Sequence, residues 1–427
     1  MDKCVNTRVT SSFKAHPLVY TIGILPPVGN KGDEAIYISS LMLIRRYLPD
    51  SVIALAFPPR WYYEGVKSPW TMEKDLFTEP SSIIVRHPLD TIGEGRDDPF
   101  WKLLSFLHYH SHPHLSNFLL TMLISFPNRR RSVNYIKEAD VNVTLSFPFE
   151  SANILFCYSF IIPKLLNKRP LVSFPISLTT EAHLGNRSGV LIREALMNAD
   201  MIFTRGRYTT KWLQQKLRIP SNKVLTSADP SFLLNYEKSY NCKIRVERDS
   251  AALVPHPIIT QDIMIKVVDV MLKFFDHIYI VTTEVRDIEY VKLLNRRVNS
   301  SRCTVLDTSK MPLPAIKSIF QKTELVVTSR SHAGIFALIS GTPIIMINRK
   351  SDLKFMDILG HYDMEHYFLD VESATLNPAH FSDMLTNMIR DLINSHSKVR
   401  RSITERNCLV CSLAELPGRY LKELVSA

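Results

Sequence analysis

Residues 325–347 read LVVTSRSHAGIFALISGTPIIMI. A buried run ends at Thr328. A polar turn, Ser329-Arg330-Ser331-His332, then leads into a helical pattern that Gly341 stops. Arg330 and His332 therefore fall where the backbone amides and dipole of a helix start favour an anion. An arginine offers a planar fork for carboxylate or phosphate, and a histidine can give up a proton near neutral pH. Lys354, a little further on, could add a third positive group. A lone histidine is usually structural, but for His332, paired with an arginine at a strand-to-helix turn, both readings stay open.

Three other segments share this layout. Residues 29–36, GNKGDEAI, follow an apolar run and open a helical pattern. Gly29 and Gly32 permit close backbone approach, Asn30 lies between them, and Asp33 and Glu34 suit the first helical turn. Either a capped strand–loop–helix turn or a ligand-facing loop fits this segment. It matches neither the dinucleotide pattern nor the phosphate-binding P-loop. In residues 204–213, TRGRYTTKWL, Arg205 comes off a strand end just before a helix, where its charge calls for an anion. Asp229-Pro230, in ADPSFLL, reads as a turn stabiliser.

The elements that must position these residues alternate. Strands are expected over 19–25, 52–57, 83–86, 139–145, 170–174, 201–204 and 223–227. Helices are expected over 33–47, 101–125, from 151, over 192–197 and over 208–217. The polar stretch 235–250 reads as a linker. A second series follows, with strands over 251–254, 278–282, 304–306, 325–328 and 343–347, and helices over 261–275 and 315–321. Further helices are expected over 381–394 and 412–425, one of them crossing back onto the first series. Alternation of this kind predicts parallel sheets covered on both faces, and ligands at the carboxyl ends of the strands. The fold class is therefore α/β, with two Rossmann-like domains facing a cleft in the glycosyltransferase B manner. The domains are expected over 17–234 and 251–395, with a helical tail over 396–427.

Composition narrows the function. The chain has 427 residues and a formal net charge of +11, which suits anionic ligands. The basic residues are dispersed, and clusters such as Arg129-Arg130-Arg131 and 398–406 lack interleaved aromatics, so no nucleic-acid partner is expected. They leave open a peripheral contact with an anionic membrane. Six scattered cysteines make no disulfide framework. The pair Cys408 and Cys411 has no second pair to complete a zinc site, and no metal is expected. No signal segment or membrane-spanning run is visible, so a cytoplasmic location is expected.

GNKGDEAI resembles the amino-terminal motif of the polysaccharide pyruvyl transferases. TSRSHAGIFALISGTPIIMI resembles their Arg-Leu-His segment, TRGRYTT and ADPSFLL their two intermediate motifs, and KEADVNV at 137–143 the strand before their glycine-rich loop. The order along the chain also agrees. The resemblance implies transfer of an enolpyruvyl-derived group from phosphoenolpyruvate to a sugar, giving a pyruvate ketal. No cofactor is needed beyond phosphoenolpyruvate as co-substrate, and the acceptor would be a sugar or lipid-linked glycan. The first domain would then be the acceptor side and the second the donor side. It further implies that Arg205, Arg330 and Lys354 hold phosphate and carboxylate, and that His332 protonates the methylene carbon. Asp33 or Glu34 would orient or deprotonate the acceptor, with Gly29, Asn30 and Gly32 lining its site.

Two departures from the pattern stand out. Residues 145–150, LSFPFE, replace the family's glycine run, and 174–178, FPISL, replace a small Ser-Ile-Gly-Pro turn. The chain has only 13 glycines. A reshaped acceptor pocket is expected. A nucleotide-sugar-dependent glycosyltransferase on the same fold and a non-catalytic glycan-binding relative remain the competing readings.

Overall fold

The computed structural model describes residues 16–22, 29–57, 82–86, 130–145, 148–149, 154–178, 186–234, 244 and 246–426. The helix expected over 101–125 and the greater part of the expected linker lie outside them, as do positions 146, 147 and 150 of the LSFPFE segment.

The first unit runs β1 (Leu18–Ile22), α1 (Lys31–Tyr47), β2 (Val52–Phe57), β3 (Ser82–Arg86), α2 (Arg130–Glu138), β4 (Val141–Thr144), β5 (Pro148–Phe149), α3 (Ile154–Leu166), β6 (Leu171–Leu178), α4 (Asn186–Met197), β7 (Met201–Thr204), α5 (Arg207–Gln215) and β8 (Val224–Thr226). Its sheet has the order β3-β2-β1-β4-β6-β7-β8, with β5 beside β6, and the pairings are parallel. Strand β1 shows why the sequence commits here: all five of LVYTI are buried, as expected of a strand covered on both faces.

The second unit runs β9 (Ser250–Val254), α6 (Gln261–Met271), β10 (His277–Thr282), α7 (Ile288–Val298), β11 (Cys303–Asp307), α8 (Leu313–Gln321), β12 (Leu325–Thr328), α9 (Ser331–Ile339), β13 (Ile344–Asn348), α10 (Leu353–Gly360) and β14 (Phe368–Asp370). Its parallel sheet has the order β11-β10-β9-β12-β13-β14. In both units the order reverses beside the first strand, between β1 and β4 and between β9 and β12. Such reversal points open the crevice where ligands of open α/β sheets bind. The architecture is two Rossmann-like domains facing a cleft.

Strand β6 differs from its expected span. It continues through FPISL to Leu178, where the sequence suggested a turn, with its register against β7 shifting between Ser173 and Ile176. Pro175 sits in that irregularity, where its missing N–H disrupts least. Helix α6 ends earlier than expected, at Met271. Lys354 lies in the first turn of α10 rather than in a loop.

After β14 come α11 (Val371–Leu376), α12 (Pro378–Asn394), α13 (His396–Ala414) and α14 (Leu416–Ser426). The single helix expected over 412–425 is thus two, meeting at Glu415. Pro417 cannot continue a hydrogen-bond ladder but suits a helix start. Helix α13 buries Ile403, Val410 and Ala414 in the second domain's core, whereas Leu421 of α14 is buried with Val19, Tyr37 and Phe203 in the first. Tyr420 meets Phe203 edge-on at 5.8 Å, and Gly418 lies so close to α1 that a Cβ would come within 2.4 Å of Tyr47. Ser227 also donates to the Leu413 carbonyl at 2.9 Å. Among the described residues no helix is long and apolar enough to cross a membrane.

Candidate active site

The carboxyl ends of the two sheets meet, and GNKGDEAI is the seam. Lys31 N–H donates to the Thr283 carbonyl at 3.0 Å and Val285 N–H to the Gly29 carbonyl at 2.8 Å, so the loops after β1 and β10 pair as a short antiparallel bridge. Gly29 has φ of 73°, and a Cβ there would meet Val285 Cγ2 at 2.7 Å. Asn30 caps α1: its Oδ1 accepts from Gly32 N–H at 2.9 Å and Asp33 N–H at 3.4 Å, while its Nδ2 donates to Glu284 at 3.4 Å. The surface of Gly32 is taken by the second domain. A Cβ there would lie 2.3 Å from His332 Nδ1, so this glycine seats the imidazole.

His332 stands in the first turn of α9, with Arg330 as the N-terminal flank. Its Nε2 faces Asp229 Oδ2 of the first domain at 3.5 Å. Asp229 in turn pairs with Arg205 Nε at 3.0 Å, and both are buried, 1% and 4% exposed. Asp229 Oδ1 does what the sequence suggested and caps the following turn through Ser231 N–H at 2.8 Å. The other oxygen is turned to Arg205 and His332. Burial opposes the charge on Asp229, yet Arg205 and His332 hold its carboxyl well below the usual carboxylate range. The anion that offsets Arg205 is thus a side chain of the protein. Arg205 is braced further by Pro175, whose carbonyl accepts from Nε at 3.3 Å, and by Ile176, whose carbonyl accepts its backbone N–H at 2.8 Å. The irregular part of β6 exposes those carbonyls.

Burial pushes His332 below the ordinary histidine range, with Asp229 pulling the other way. Its Nε2 is buried without a hydrogen-bond partner, and Asp229 Oδ2 has the ion pair with Arg205 in place of a well-formed hydrogen bond. At 3.5 Å they stand beyond an N–H···O bond. Protonation of the ring would convert that separation into a charge-assisted pair.

Arg330 leaves β12 toward two carboxylates of the loop after β10. Its Nε donates to Asp287 at 2.8 Å, its Nη2 also reaches Asp287, and its Nη1 lies 2.7 Å from Glu284. Arg286 Nε pairs with the same Glu284 at 2.5 Å. Asp33 belongs to this group from the first domain. Withdrawal from water and the nearby Glu284 carboxylate push its carboxyl up to about 7, against the pull of Arg205, Arg286 and Arg330. Glu34 is occupied elsewhere, accepting from Lys31 Nζ at 2.6 Å. Lys354 lies 3.2 Å from Asp352 and over the Phe355 ring. No group of three or more His, Cys, Asp or Glu side chains among the described residues could hold a metal ion.

Sequence reasoning missed the clamp behind Arg205. Helix α5 begins at Gly206 without a side-chain cap of its own. Asp357 of α10, from the other domain, supplies one: Oδ1 accepts from Tyr208 N–H at 2.7 Å and Thr209 N–H at 3.2 Å, and Oδ2 accepts from the Thr209 hydroxyl. A Cβ on Gly206 would strike Asp357 at 2.5 Å. Burial raises the Asp357 carboxyl to about 6. His361 Nε2 lies 2.7 Å from the Arg205 carbonyl. Nothing in the spacing of 353–361 marks these contacts, because they are made across the domain interface. His256 was missed too, although it follows the first strand of the second series and so falls at the reversal point.

The model of one family, described as polysaccharide pyruvyl transferase, matches residues 30–351. No curated protein matches the sequence. Among solved structures, the UDP-GlcNAc 2-epimerase from Neisseria meningitidis bound to UDP-GlcNAc is similar with TM-score 0.54 at 9% identity, covering 96% of this chain and 98% of that one. Anabaena Alr3699/HepE in complex with UDP and glucose gives TM-score 0.55 at 11% identity, with 96% and 99% covered. A glycosyltransferase from Rickettsia africae gives 0.54 at 8% identity, with 96% and 98% covered. At these identities the likeness concerns the fold, which these proteins share over nearly their whole lengths.

Proposed function

Because the chain belongs to the polysaccharide pyruvyl transferase family, we propose that it is a transferase that moves a pyruvyl group from phosphoenolpyruvate to two hydroxyls of a sugar in a polysaccharide or its lipid-linked precursor. The observation that carries this reading is the array Arg205–Asp229–His332, assembled from both domains where the two sheets' carboxyl ends meet. A histidine kept neutral at rest, beside a carboxylate kept charged, is poised to take up a proton when an anionic substrate arrives.

The geometry supports the following roles. Lys354 and the remaining N–H groups of Arg330 attract the donor's phosphate and carboxylate. That negative charge raises the proton affinity of His332, and Asp229 stabilises the imidazolium. His332 passes the proton to the methylene carbon, which becomes a methyl group. The second carbon, now cation-like, is attacked by an acceptor hydroxyl. Asp33, with its carboxyl near 7, takes that hydroxyl's proton. A second hydroxyl then displaces inorganic phosphate and closes the ketal; its proton returns to His332, and the one held by Asp33 leaves with the phosphate. Arg205 is buried behind Asp229, so its part is to hold that carboxylate charged rather than to touch the donor.

The second reading, a nucleotide-sugar-dependent transferase, is favoured by one observation: the similar structures named above include complexes with UDP or a UDP-sugar. Thermal unfolding separates the two. Saturating phosphoenolpyruvate should raise the midpoint of the wild type and leave that of His332→Ala/Arg330→Ala unmoved, since a ligand that binds the native state stabilises it. Stabilisation by UDP-sugars alone would transfer the assignment to the second reading.

A further inference from the structure

His256 has no role in the mechanism above, yet the fold aims it at the same crevice. Val254, the last residue of β9, is the register partner of Thr328, the last residue of β12. His256 and Arg330 each lie two residues beyond these partners. They therefore leave adjacent strands at the same level, on the two sides of the second domain's reversal point.

The ring's tautomer is set locally. Nδ1 accepts from Ile258 N–H at 3.0 Å, so the proton of the neutral imidazole sits on Nε2. Among the described residues no protein group accepts from that Nε2–H. Arg330, Lys354 and Arg286 are the cations whose charge acts on the ring. Partial burial, with those cations adding to it, presses the ring down to about 3, so it is neutral throughout the physiological range. A neutral N–H donor leaving the sheet level with Arg330, within the influence of three cations, is suited to an oxygen of a multiply charged anion. It adds a directed hydrogen bond without adding a fourth positive charge that the site would have to hold when empty.

We propose that His256 binds the donor as a neutral hydrogen-bond donor, its Nε2–H meeting a phosphate oxygen beside Lys354 and Arg330. This rests on the transferase reading for the identity of the donor, but the phosphate contact itself would serve a phosphoenol ester or a nucleotide diphosphate alike. The proposal differs from an acid–base role: the ring holds its proton and does not transfer it.

The test uses the full chain and three proteins: wild type, His256→Ala and His256→Gln. The glutamine amide keeps an N–H at similar reach and cannot titrate. Phosphate release from phosphoenolpyruvate in the presence of glycan acceptor gives KM and kcat, and thermal shifts are read with phosphoenolpyruvate and, separately, with a UDP-sugar. The alanine variant should raise the KM for phosphoenolpyruvate by about tenfold, the scale of one hydrogen bond to a charged group, with kcat little changed. The glutamine variant should recover most of that loss and keep the wild-type pH profile. Ligand-free midpoints should agree among the three. An unchanged KM in the alanine variant overturns the proposal. So does a glutamine variant as impaired as alanine that has lost a limb of the pH profile, because His256 would then transfer protons. If wild type ignores phosphoenolpyruvate but is stabilised by the UDP-sugar, the transferase reading fails. The phosphate contact then stands only if alanine abolishes that shift. No stabilisation of wild type by either ligand overturns both.

Discussion

The two walls of the cleft are built on opposite principles. On the first-domain wall, Arg205 and Asp229 are almost wholly buried and satisfy one another, braced by the carbonyls of β6. On the second-domain wall, His256 Nε2 has no protein acceptor among the described residues, Arg286 and Lys354 each pair with one carboxylate, and Arg330 is held in place by Glu284 and Asp287. In the proposed function one wall fixes orientation and the other offers contacts. The difference teaches that a charged residue at a strand end need not be a ligand contact. Burial and a partner within hydrogen-bond reach mark it as a support, and partial exposure with open donors marks it as a contact.

Breaking the support should have the largest effect. Asp229→Asn leaves Arg205 buried without its counter-charge, a change that costs about 3–5 kcal/mol of stability. It also strips His332 of its partner, so turnover in the folded fraction should fall by about 100-fold or more. Circular dichroism melts alongside initial rates separate the two losses. The sign with pH is determined by the lowered carboxyl of Asp229. Its contribution is present above the ordinary carboxylate range, near pH 4, and fades as pH falls below it. The variant's melting curve should therefore depend less on pH at the acid end than the wild type's.

Asp33→Asn should split activity from stability. Turnover falls by about 100-fold if this carboxylate accepts the acceptor's proton. The midpoint of unfolding at pH 8 should rise by several degrees, because an ionised carboxylate beside Glu284 is removed. The carboxyl lies near 7 in the folded protein against about 3.8 when exposed. Wild-type stability should therefore decline as pH rises through that interval, and the decline should be smaller in the variant, where the share from Asp357 remains. A midpoint that drops at pH 8 would show that the carboxylate is a structural partner instead.

Asp357→Ala tests whether the second domain orients the first. Loss of a helix cap costs about 1–2 kcal/mol. The sharper readout is catalytic: with helix α5 uncapped, Arg205 is held less firmly, so kcat should fall several-fold while KM for the donor barely moves. A variant that loses stability alone would reduce Asp357 to a fold contact. The smallest effect is expected for Glu34→Gln. Its carboxylate is taken by Lys31 in a largely buried pair, the side chains 9% and 15% exposed, so rates should stay within about threefold of wild type even where stability falls because Lys31 loses its counter-charge. A large loss would move the acceptor's base from Asp33 to Glu34.

The sequence made some of this legible and not the rest, for physical reasons. Both sheets could be read because the runs LVYTI, AALV and LVVT are fully buried strands bounded by turn residues, and burial on two faces leaves an uninterrupted apolar signal. The turn Ser329–His332 was readable because its chemistry lies within one strand–helix junction. Asp229 was read for only one of its two oxygens: the capping oxygen acts locally, while the other acts on a histidine about a hundred positions away. The clamp of Asp357 on α5 has a separation of 148 positions and no periodic trace. Gly32 illustrates the same limit. Its want of a Cβ was evident, but the neighbour that needs the space is a side chain of the other domain.

The crossing of α14 back onto the first domain bears on how the chain acquires its shape during synthesis. Arg46 and Glu415 are ion-paired although 369 positions separate them, and Leu421 is one of the side chains filling the space around Phe203. The first half of the chain therefore cannot finish its interior while the ribosome is still making the second. It must wait with an apolar groove uncovered along α1 until α14 emerges. Contacts this distant close slowly, because the intervening loop's entropy is lost before any packing compensates for it. Docking of α14 thus seals the first domain and ties it to the second.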